Sequence, residues 1–288
     1  MSFQIFAQLL VNGLVMGSVY VLVATGFAVV YGTAKIMNFA HGHFYMLGAF
    51  IYGGLVMSGV HWAISLVLAA LGVGVFGLIA WHAILRPLYQ DVFLTVAATI
   101  GMGLIMVQGV IVIAGERDII VPSVFKGVLE IGGITVPIEK FAIVAITLGL
   151  MLALHFFLRT KIGKALEATT IDRDAASLQG INPGRMFEVA MALGSVMAGI
   201  AGAVIVPYMT AQANMGNPIT LIFLCIVVVA GHGSIKGAVV VGILFGLIKS
   251  IGYHFLGSMD DVLLMIIVAI LMYIKPWGIW GVEFKRTI

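Results

Sequence analysis

Long apolar stretches separated by short polar breaks run along almost the whole chain. A helix that crosses a bilayer needs about 20 mostly apolar residues. The pattern predicts an all-α polytopic transmembrane bundle, a single domain over residues 1–288 with about eight to ten membrane segments. The nine stretches that carry this prediction are 4–31, 38–59, 61–85, 91–114, 138–158, 186–209, 217–231, 235–256 and 261–274.

Two of these stretches differ from ordinary spans. Segment 217–231 is short for a full crossing, and segment 38–59 is rich in glycine. Irregular or interrupted helices occur at membrane depth where they are buried in protein or line a cavity. Both segments are therefore candidates for broken or re-entrant elements beside a cavity.

Composition supports a lipid-facing surface, because 62% of the 288 residues are hydrophobic and only 9% are charged. Soluble domains carry about 25% charged residues.

The single cysteine, Cys225, lies in an apolar run, so neither a disulfide framework nor a cysteine metal site is expected. No Lys or Arg precedes Lys35 and no small-residue cleavage site follows the first stretch, so we expect no cleaved signal peptide. The sequence has no basic face with interleaved aromatic residues, so nucleic acid is not an expected partner.

The distribution of basic residues predicts the orientation, since cytoplasmic loops carry an excess of Lys and Arg. With the N-terminus outside and the C-terminus cytoplasmic, eleven basic residues fall inside and three outside, and Lys249 lies within a span. The inner residues are Lys35, Arg86, Arg159, Lys161, Lys164, Arg173, Arg185, Lys236, Lys275, Lys285 and Arg286, and the outer ones are Arg117, Lys126 and Lys140. This orientation makes 115–137 an external loop and 159–185 a cytoplasmic loop.

The external loop 115–137 contains two prolines and the adjacent pair Gly132 and Gly133, which favours an irregular or hairpin-like cap. The cytoplasmic loop 159–185 is rich in alanine and predicts a short helix with a small-residue face. Gly180 stands where a left-handed residue would end that helix. Asn182 is expected to cap the next helix, with Pro183 in its first position.

Two interpretations of the 159–185 loop remain open from its residues alone. It is a solvated connection between two spans, or it is a docking surface whose small face lets another protein approach closely. In the second case, polar contacts at its rim come from Lys164, Glu167, Asp172, Arg173 and Asp174.

Polar and glycine positions inside the apolar segments are candidates for a translocation path. Asn38, His41 and Gly42 either face that path or form a buried cap, with Asn38 as N-cap and Gly42 permitting close packing. Gly231, Gly233 and Ser234 either break a helix near the midplane or form a tight cytoplasmic turn with Ser234 as cap.

Other singular residues have simpler interpretations. Lys249 can pair with Asp260 or Asp261 or contact a substrate carboxylate. Gly242 and Gly246 predict a helix contact. His41 and His43 are spaced i, i+2 and point to different helix faces, so no metal site is expected. No catalytic residue is expected either, because the sequence lacks the GxxxxGK[ST], HExxH and GxSxG strings.

Several strings resemble known transporters. Residues 161–184 resemble the cytoplasmic loop of ABC importer permeases, and Asn38-Phe-Ala-His-Gly42 with its flanks (35–50) resembles the signature of the branched-chain amino acid permease family. The resemblance continues in order along the chain, at Asn12-Gly13 with Gly17-Ser18, Arg86-Pro87, Gly115-x-Arg-Asp118, Gly231-x-Gly-Ser234 and Lys275-Pro-Trp-Gly278. Relatives in this family are assigned to urea, short amides and aromatic acids.

The resemblance implies the permease subunit of an ABC importer in a bacterial inner membrane, carrying a small amino acid-like or organic acid substrate. It implies a second homologous permease subunit, two ATPase subunits that bind ATP and Mg, and a periplasmic substrate-binding protein, with no cofactor in this chain. In the family the 159–185 loop is the coupling helix. The residues to which this ATPase-coupling assignment transfers are Gly163, Lys164, Ala165, Glu167, Ala168, Asp172, Ala175, Gly180, Ile181 and Asn182.

The chain departs from the family pattern at three positions. His43 stands where an acidic residue is usual, Ala230 where glycine is more common, and Lys236 where proline is common. These differences affect which substrate is expected, and branched-chain amino acids are the leading expectation.

Two other functions stay open, an ion-coupled secondary transporter or channel and a membrane enzyme. An ion-coupled transporter needs carboxylates within the spans, and these spans hold almost none. A membrane enzyme needs a set of catalytic residues, and the sequence contains no known catalytic string.

Overall fold

Helices begin and end close to the polar breaks of the sequence. The computed structural model describes residues 3–281 except 117, 126, 132–133 and 232. The expectations for Arg117, Lys126, Gly132, Gly133, Lys285 and Arg286 fall on residues outside this description. The helices are α1 (Phe3–Ala34), α2 (His41–Met57), α3 (Trp62–Ala80), α4 (Arg86–Leu88), α5 (Val92–Ala114), α6 (Ile138–Leu158), α7 (Lys161–Ile171), α8 (Arg173–Leu178), α9 (Pro183–Ile205), α10 (Gly216–Ala230), α11 (Ile235–Leu256) and α12 (Asp260–Ile274).

The all-α polytopic bundle is confirmed. A π-helical turn, Trp81–Leu85, joins α3 to α4, and a 3₁₀ turn, Gly257–Met259, joins α11 to α12. Within the described residues, six helical stretches are long and apolar enough to cross a membrane. These are Phe3–Ala34, Trp62–Leu88, Val92–Ala114, Ile138–Leu158, Pro183–Ile205 and the 40-residue stretch Ile235–Ile274, which contains α11 and α12.

Two further apolar helices are too short for a full crossing. Helix α2 has 17 residues and α10 has 15, against the about 20 that a bilayer core requires. They correspond to the two segments whose sequence suggested interrupted elements. Both are packed inside the bundle, since α2 contacts α9, α3 and α10, and α10 contacts α11, α2 and α1.

Helices α1 and α9 form the centre of the molecule. Helix α1 packs mainly on α11 and α9, and α9 also contacts α2 and α3. The peripheral helices expose large apolar side chains instead, including Ile105 (74%) and Ile113 (88%) on α5. In a bilayer such an exposed apolar band is the expected outer surface, because lipid tails are as apolar as these side chains.

Glycines bring the central helices into backbone contact. A Cβ on Gly246 would collide with Gly13 and Gly17, and one on Gly26 would lie 2.8 Å from the Gly194 carbonyl oxygen. Small residues allow the close van der Waals approach on which helix association in membranes depends. The expected helix contact at Gly246 is therefore confirmed, between α11 and α1.

The 115–137 loop contains an antiparallel hairpin, β1 (Val128–Ile131) with β2 (Ile134–Pro137), as its composition suggested. Its first part forms a bridge between Ile119 and Ala211, beyond the end of α9. The hairpin precedes α6 and the 159–185 loop follows it, so the two loops lie at opposite ends of this helix.

We expect Gly48→Ala to destabilise the bundle, because its Cβ would collide with the backbone of Gly199 where α2 meets α9. Overpacking of this kind costs about 1–3 kcal/mol. Gly149→Ala on α6 is the matched control, since no atom lies within 4 Å of its Cβ position. Thermal unfolding of the purified variants measures the difference. A melting temperature for Gly48→Ala equal to or above that of Gly149→Ala would contradict the packing described.

Candidate functional site

The 159–185 loop folds into two short helices rather than the single one expected. Asp172 separates α7 from α8 because its backbone is extended (φ −152°, ψ 115°). Its carboxylate accepts hydrogen bonds from the amides of Asp174 (2.9 Å) and Ala175 (3.0 Å) and so caps α8. An aspartate that offers backbone amides an alternative partner favours a cap over a helix interior.

The end of the loop follows the sequence expectation. Gly180 has φ +80°, the left-handed conformation that glycine adopts without strain, and the Ile181 amide donates to the Ala176 carbonyl at 3.1 Å. The Asn182 side chain accepts from the amide of Arg185 at 3.2 Å, and Pro183 is the first residue of α9.

The predicted coupling residues divide by exposure. Lys164, Glu167, Asp172, Ala175, Gly180 and Asn182 are exposed, whereas Ala165, Ala168 and Ile181 are partly buried. Gly163 is buried, because α7 turns back there against the backbone of Phe157 and Leu158. Whether these residues contact an ATPase remains a prediction.

Two residues that the sequence analysis did not single out are the most prominent on this surface. Ile171 is 82% exposed and Leu178 is 87% exposed, on a loop whose other exposed side chains are mostly charged or small. Each is a large apolar side chain that stays exposed among polar residues, which makes it a candidate for a contact with another protein. Their placement among charged residues was the sequence signal that could have identified them.

Arg173 does not belong to the polar rim of the loop, contrary to expectation. Its guanidinium donates to the carbonyl of Ala34 at 2.6 Å and lies 4.9 Å from the ring centroid of Phe187. A cation at the last carbonyl of α1 interacts favourably with the negative end of the helix dipole. The pKa of Lys35 is lowered, mainly by burial and to a smaller extent by the nearby charge of Arg173.

Two further contacts attach the loop to the bundle. The hydroxyls of Thr33 on α1 and Thr170 on α7 lie 3.3 Å apart. Gly233 packs against Gly32 so closely that a Cβ would lie 2.9 Å from the Gly32 Cα. The end of α1 therefore joins the loop to the turn that precedes α11.

The described residues of that turn, 231, 233 and 234, have the tight geometry that the sequence analysis considered. Gly231 (φ +94°) packs against Gly281 and Gly278, and the Ser234 hydroxyl caps α11 by accepting from the Gly237 amide at 3.1 Å. Gly233 and Ser234 line a cavity of about 770 Å³ between α1, α6, α7 and α11. Leu166, Glu167, Thr170 and Ile171 of α7 line the same cavity.

Asn38, His41 and Gly42 are all buried at the start of α2. Asn38 is not the N-cap, because the helix starts at His41 and the Asn38 side chain accepts from the Ala40 amide at 3.0 Å within the preceding turn. His41 Nε2 lies 3.2 Å from the Val23 carbonyl oxygen. These residues are packed within the bundle, and their assignment to a translocation path remains a prediction.

The N-termini of the two short helices meet at a second cavity. Gly42 packs against Gly216 and Thr220, and a Cβ on Gly216 would lie 2.9 Å from the Gly42 carbonyl oxygen. Beside this contact, His43 Nε2 lies 3.1 Å from Asn217 Oδ1. The cavity measures about 280 Å³ and is lined by Phe39, His43, Ile100, Leu104, Asn217, Thr220 and Leu221.

Lys249 has the partners that its position suggested. Its ammonium lies 3.5 Å from Asp260 Oδ2 and also contacts the carboxylate of Asp261. This cluster joins α11 to the start of α12 and balances the cation locally.

Comparisons with known proteins find a family and relatives that match this chain over nearly its whole length. The family described as "Branched-chain amino acid transport system / permease component" matches residues 9–274. The high-affinity branched-chain amino acid transport system permease protein LivH of Escherichia coli strain K12 is 31% identical over 97% of each chain. Permease protein BraD of Pseudomonas aeruginosa is 27% identical over 96% of each chain. No solved structure matches.

We expect Arg173→Gln to destabilise the attachment of α7 and α8 to the bundle. It removes a charge-assisted hydrogen bond to Ala34, and bonds of this kind contribute about 1.5–3 kcal/mol. Lys164→Gln, which removes a charge from an exposed position of the same loop, is the control. Limited proteolysis of the loop and thermal unfolding measure the effect. Equal behaviour of the two variants would show that Arg173 does not hold the loop.

Proposed function

The chain belongs to the branched-chain amino acid transport system permease family, and on this premise we propose that it drives import together with separate ATPase subunits. In this proposal it lies in a bacterial inner membrane beside a second, homologous permease subunit. The two permeases form the translocation path. Two ATPase subunits bind ATP and Mg, and a periplasmic binding protein delivers the substrate.

The exposure of Ile171 and Leu178 carries the proposal for ATPase docking. Leaving such side chains in water is unfavourable, and burying each would contribute about 1.5–3 kcal/mol. The charged residues Lys164, Glu167 and Asp172 are exposed on the same loop, and they supply the polar groups that the rim of such an interface contains. The ATPase-coupling surface thus comprises the exposed faces of α7 and α8.

The attachments of α7 and α8 supply a route for coupling. Arg173 holds the last carbonyl of α1, that of Ala34, and Thr170 contacts Thr33, one residue before that end. When the ATPase subunits move this loop, they also displace the end of α1 and, through Gly32, the turn at Gly233. All of these elements border the 770 Å³ cavity, so the same movement opens or closes its mouth.

The orientation follows from placing the docking surface in the cytoplasm. The hairpin loop at the opposite end of α6 then faces outward, where the binding protein arrives. This agrees with the excess of Lys and Arg on the 159–185 side. The printed names of the relatives favour a branched-chain amino acid as substrate, within a wider class of small amino acid-like and organic acid molecules.

We expect Ile171→Ser and Leu178→Ser each to reduce ATPase binding about tenfold or more, since each removes a side chain whose burial contributes about 1.5–3 kcal/mol. The matched control is Ile162→Ser, also on α7 and 51% exposed, but nine residues from Ile171 and therefore on the opposite helix face. The measurement is the amount of ATPase subunit that co-purifies with the permease from membranes containing the whole importer. Normal recovery with both variants, or equal loss with the control, would refute the docking surface.

A further inference from the structure

The cavity of about 770 Å³ is a groove between α6 and α11. Both helices pack on α1, whose small residues Ala28 and Gly32 belong to the lining. Next to the cavity, Leu152 of α6 is 58% exposed and Leu244 of α11 is 46% exposed. Exposed apolar side chains on membrane helices contact lipid tails, which are equally apolar. The groove therefore borders the bilayer.

The lining of the groove changes from charged to apolar along α6. This helix has 21 residues and is about 32 Å long at 1.5 Å per residue, close to a hydrocarbon core of about 30 Å. Arg159, the residue after its last turn, therefore lies at the membrane–water interface. Met151 lines the same groove two turns earlier, about 12 Å deeper. Val239 and Val240 of α11 continue the apolar wall.

Two cations line this groove without an ion-pair partner among the described residues. Arg159 follows α6, and Lys236 is in the first turn of α11. The described lining holds one carboxylate, that of Glu167, so positive charge is in excess. Lys236 is also unfavourably placed, because the N-terminus of a helix itself carries about half a positive charge. An anion between the ends of α6 and α11 would stabilise both cations.

We propose that an anionic phospholipid binds in this groove, an inference that rests on the proposed function only in assigning the lipid to the cytoplasmic leaflet. Its phosphate lies between Arg159 and Lys236, and one acyl chain runs inward along Met151 and Val239. Basic pockets between membrane helices on the cytoplasmic side bind anionic headgroups in this way. A small anion would satisfy the cations but leave the apolar wall uncovered, whereas a phospholipid covers both parts of the lining.

Photo-crosslinking to lipid tests this site. The complete importer is reconstituted in vesicles with equal amounts of phosphatidylglycerol, which is anionic, and phosphatidylcholine, which is zwitterionic. A photoreactive residue replaces Val239 in the groove or, as a control, Leu244 on the exposed surface of the same helix. At position 239 we expect phosphatidylglycerol adducts to exceed phosphatidylcholine adducts at least about fivefold, the factor that the attraction of one Lys or Arg to an anionic lipid surface supplies. At position 244 we expect equal amounts.

Removal of charge identifies the cations responsible. Arg159→Gln combined with Lys236→Gln should lower the lipid ratio at position 239 to that at 244. Arg86→Gln combined with Lys275→Gln removes the same charge from exposed positions outside the groove and should leave the ratio unchanged.

Three results would overturn the lipid site: equal ratios at positions 239 and 244, equal ratios in the two double variants, or an adduct between position 239 and another protein subunit. Co-purification of the ATPase subunits is followed in the same samples. Their absence would instead contradict the proposed importer function, because the lipid ratio is measured on this chain and both leaflets have the same composition.

Discussion

Backbone contact at glycines is the constraint on which the rest of this molecule depends. Lipid tails solvate leucine and valine as well as a protein core does, so helices in a bilayer associate through close packing and polar contacts instead. Helix α1 meets α9 at Gly26 and Gly194, and α9 meets α2 at Gly199 and Gly48. The central helices are thereby fixed against one another, and every functional feature is attached to them.

Glycine contacts also position the segments that the proposed transport involves. Gly42 and Gly216 bring the starts of two short helices together inside the membrane, and Gly32 and Gly233 bring the turn before α11 against the end of α1. Around these contacts lie the two cavities and the attachment of Arg173 to Ala34. A displacement of α7 and α8 consequently acts on the bundle through a few defined contacts.

Much of the fold could be predicted from the sequence, because membrane helices are specified by long apolar runs whose ends are set by local caps. Gly180, Asn182 and Ser234 have the local conformations that their residue types suggested. Asp172 shows the limit of this approach, since its alanine-rich surroundings favoured one continuous helix. Its carboxylate instead accepts from the following backbone amides and divides the loop into two helices.

The site was harder to predict because it depends on contacts between distant parts of the chain. His43 and Asn217 are 174 positions apart, and only the packing of α2 on α10 makes them neighbours. Arg173 resembled a solvent-exposed residue of the loop rim until the end of α1 was placed beside it. Likewise, the exposure of Leu178 depends on which face of α8 the bundle covers.

Photo-crosslinking from position 178 in native membranes tests the central claim most directly, namely that α7 and α8 form the surface on which an ATPase docks. A photoreactive residue in place of Leu178, which is 87% exposed, should form an adduct with the ATPase subunit, whereas the same residue in place of Ile162 should not. An adduct with the external binding protein, or with lipid alone, would contradict the account.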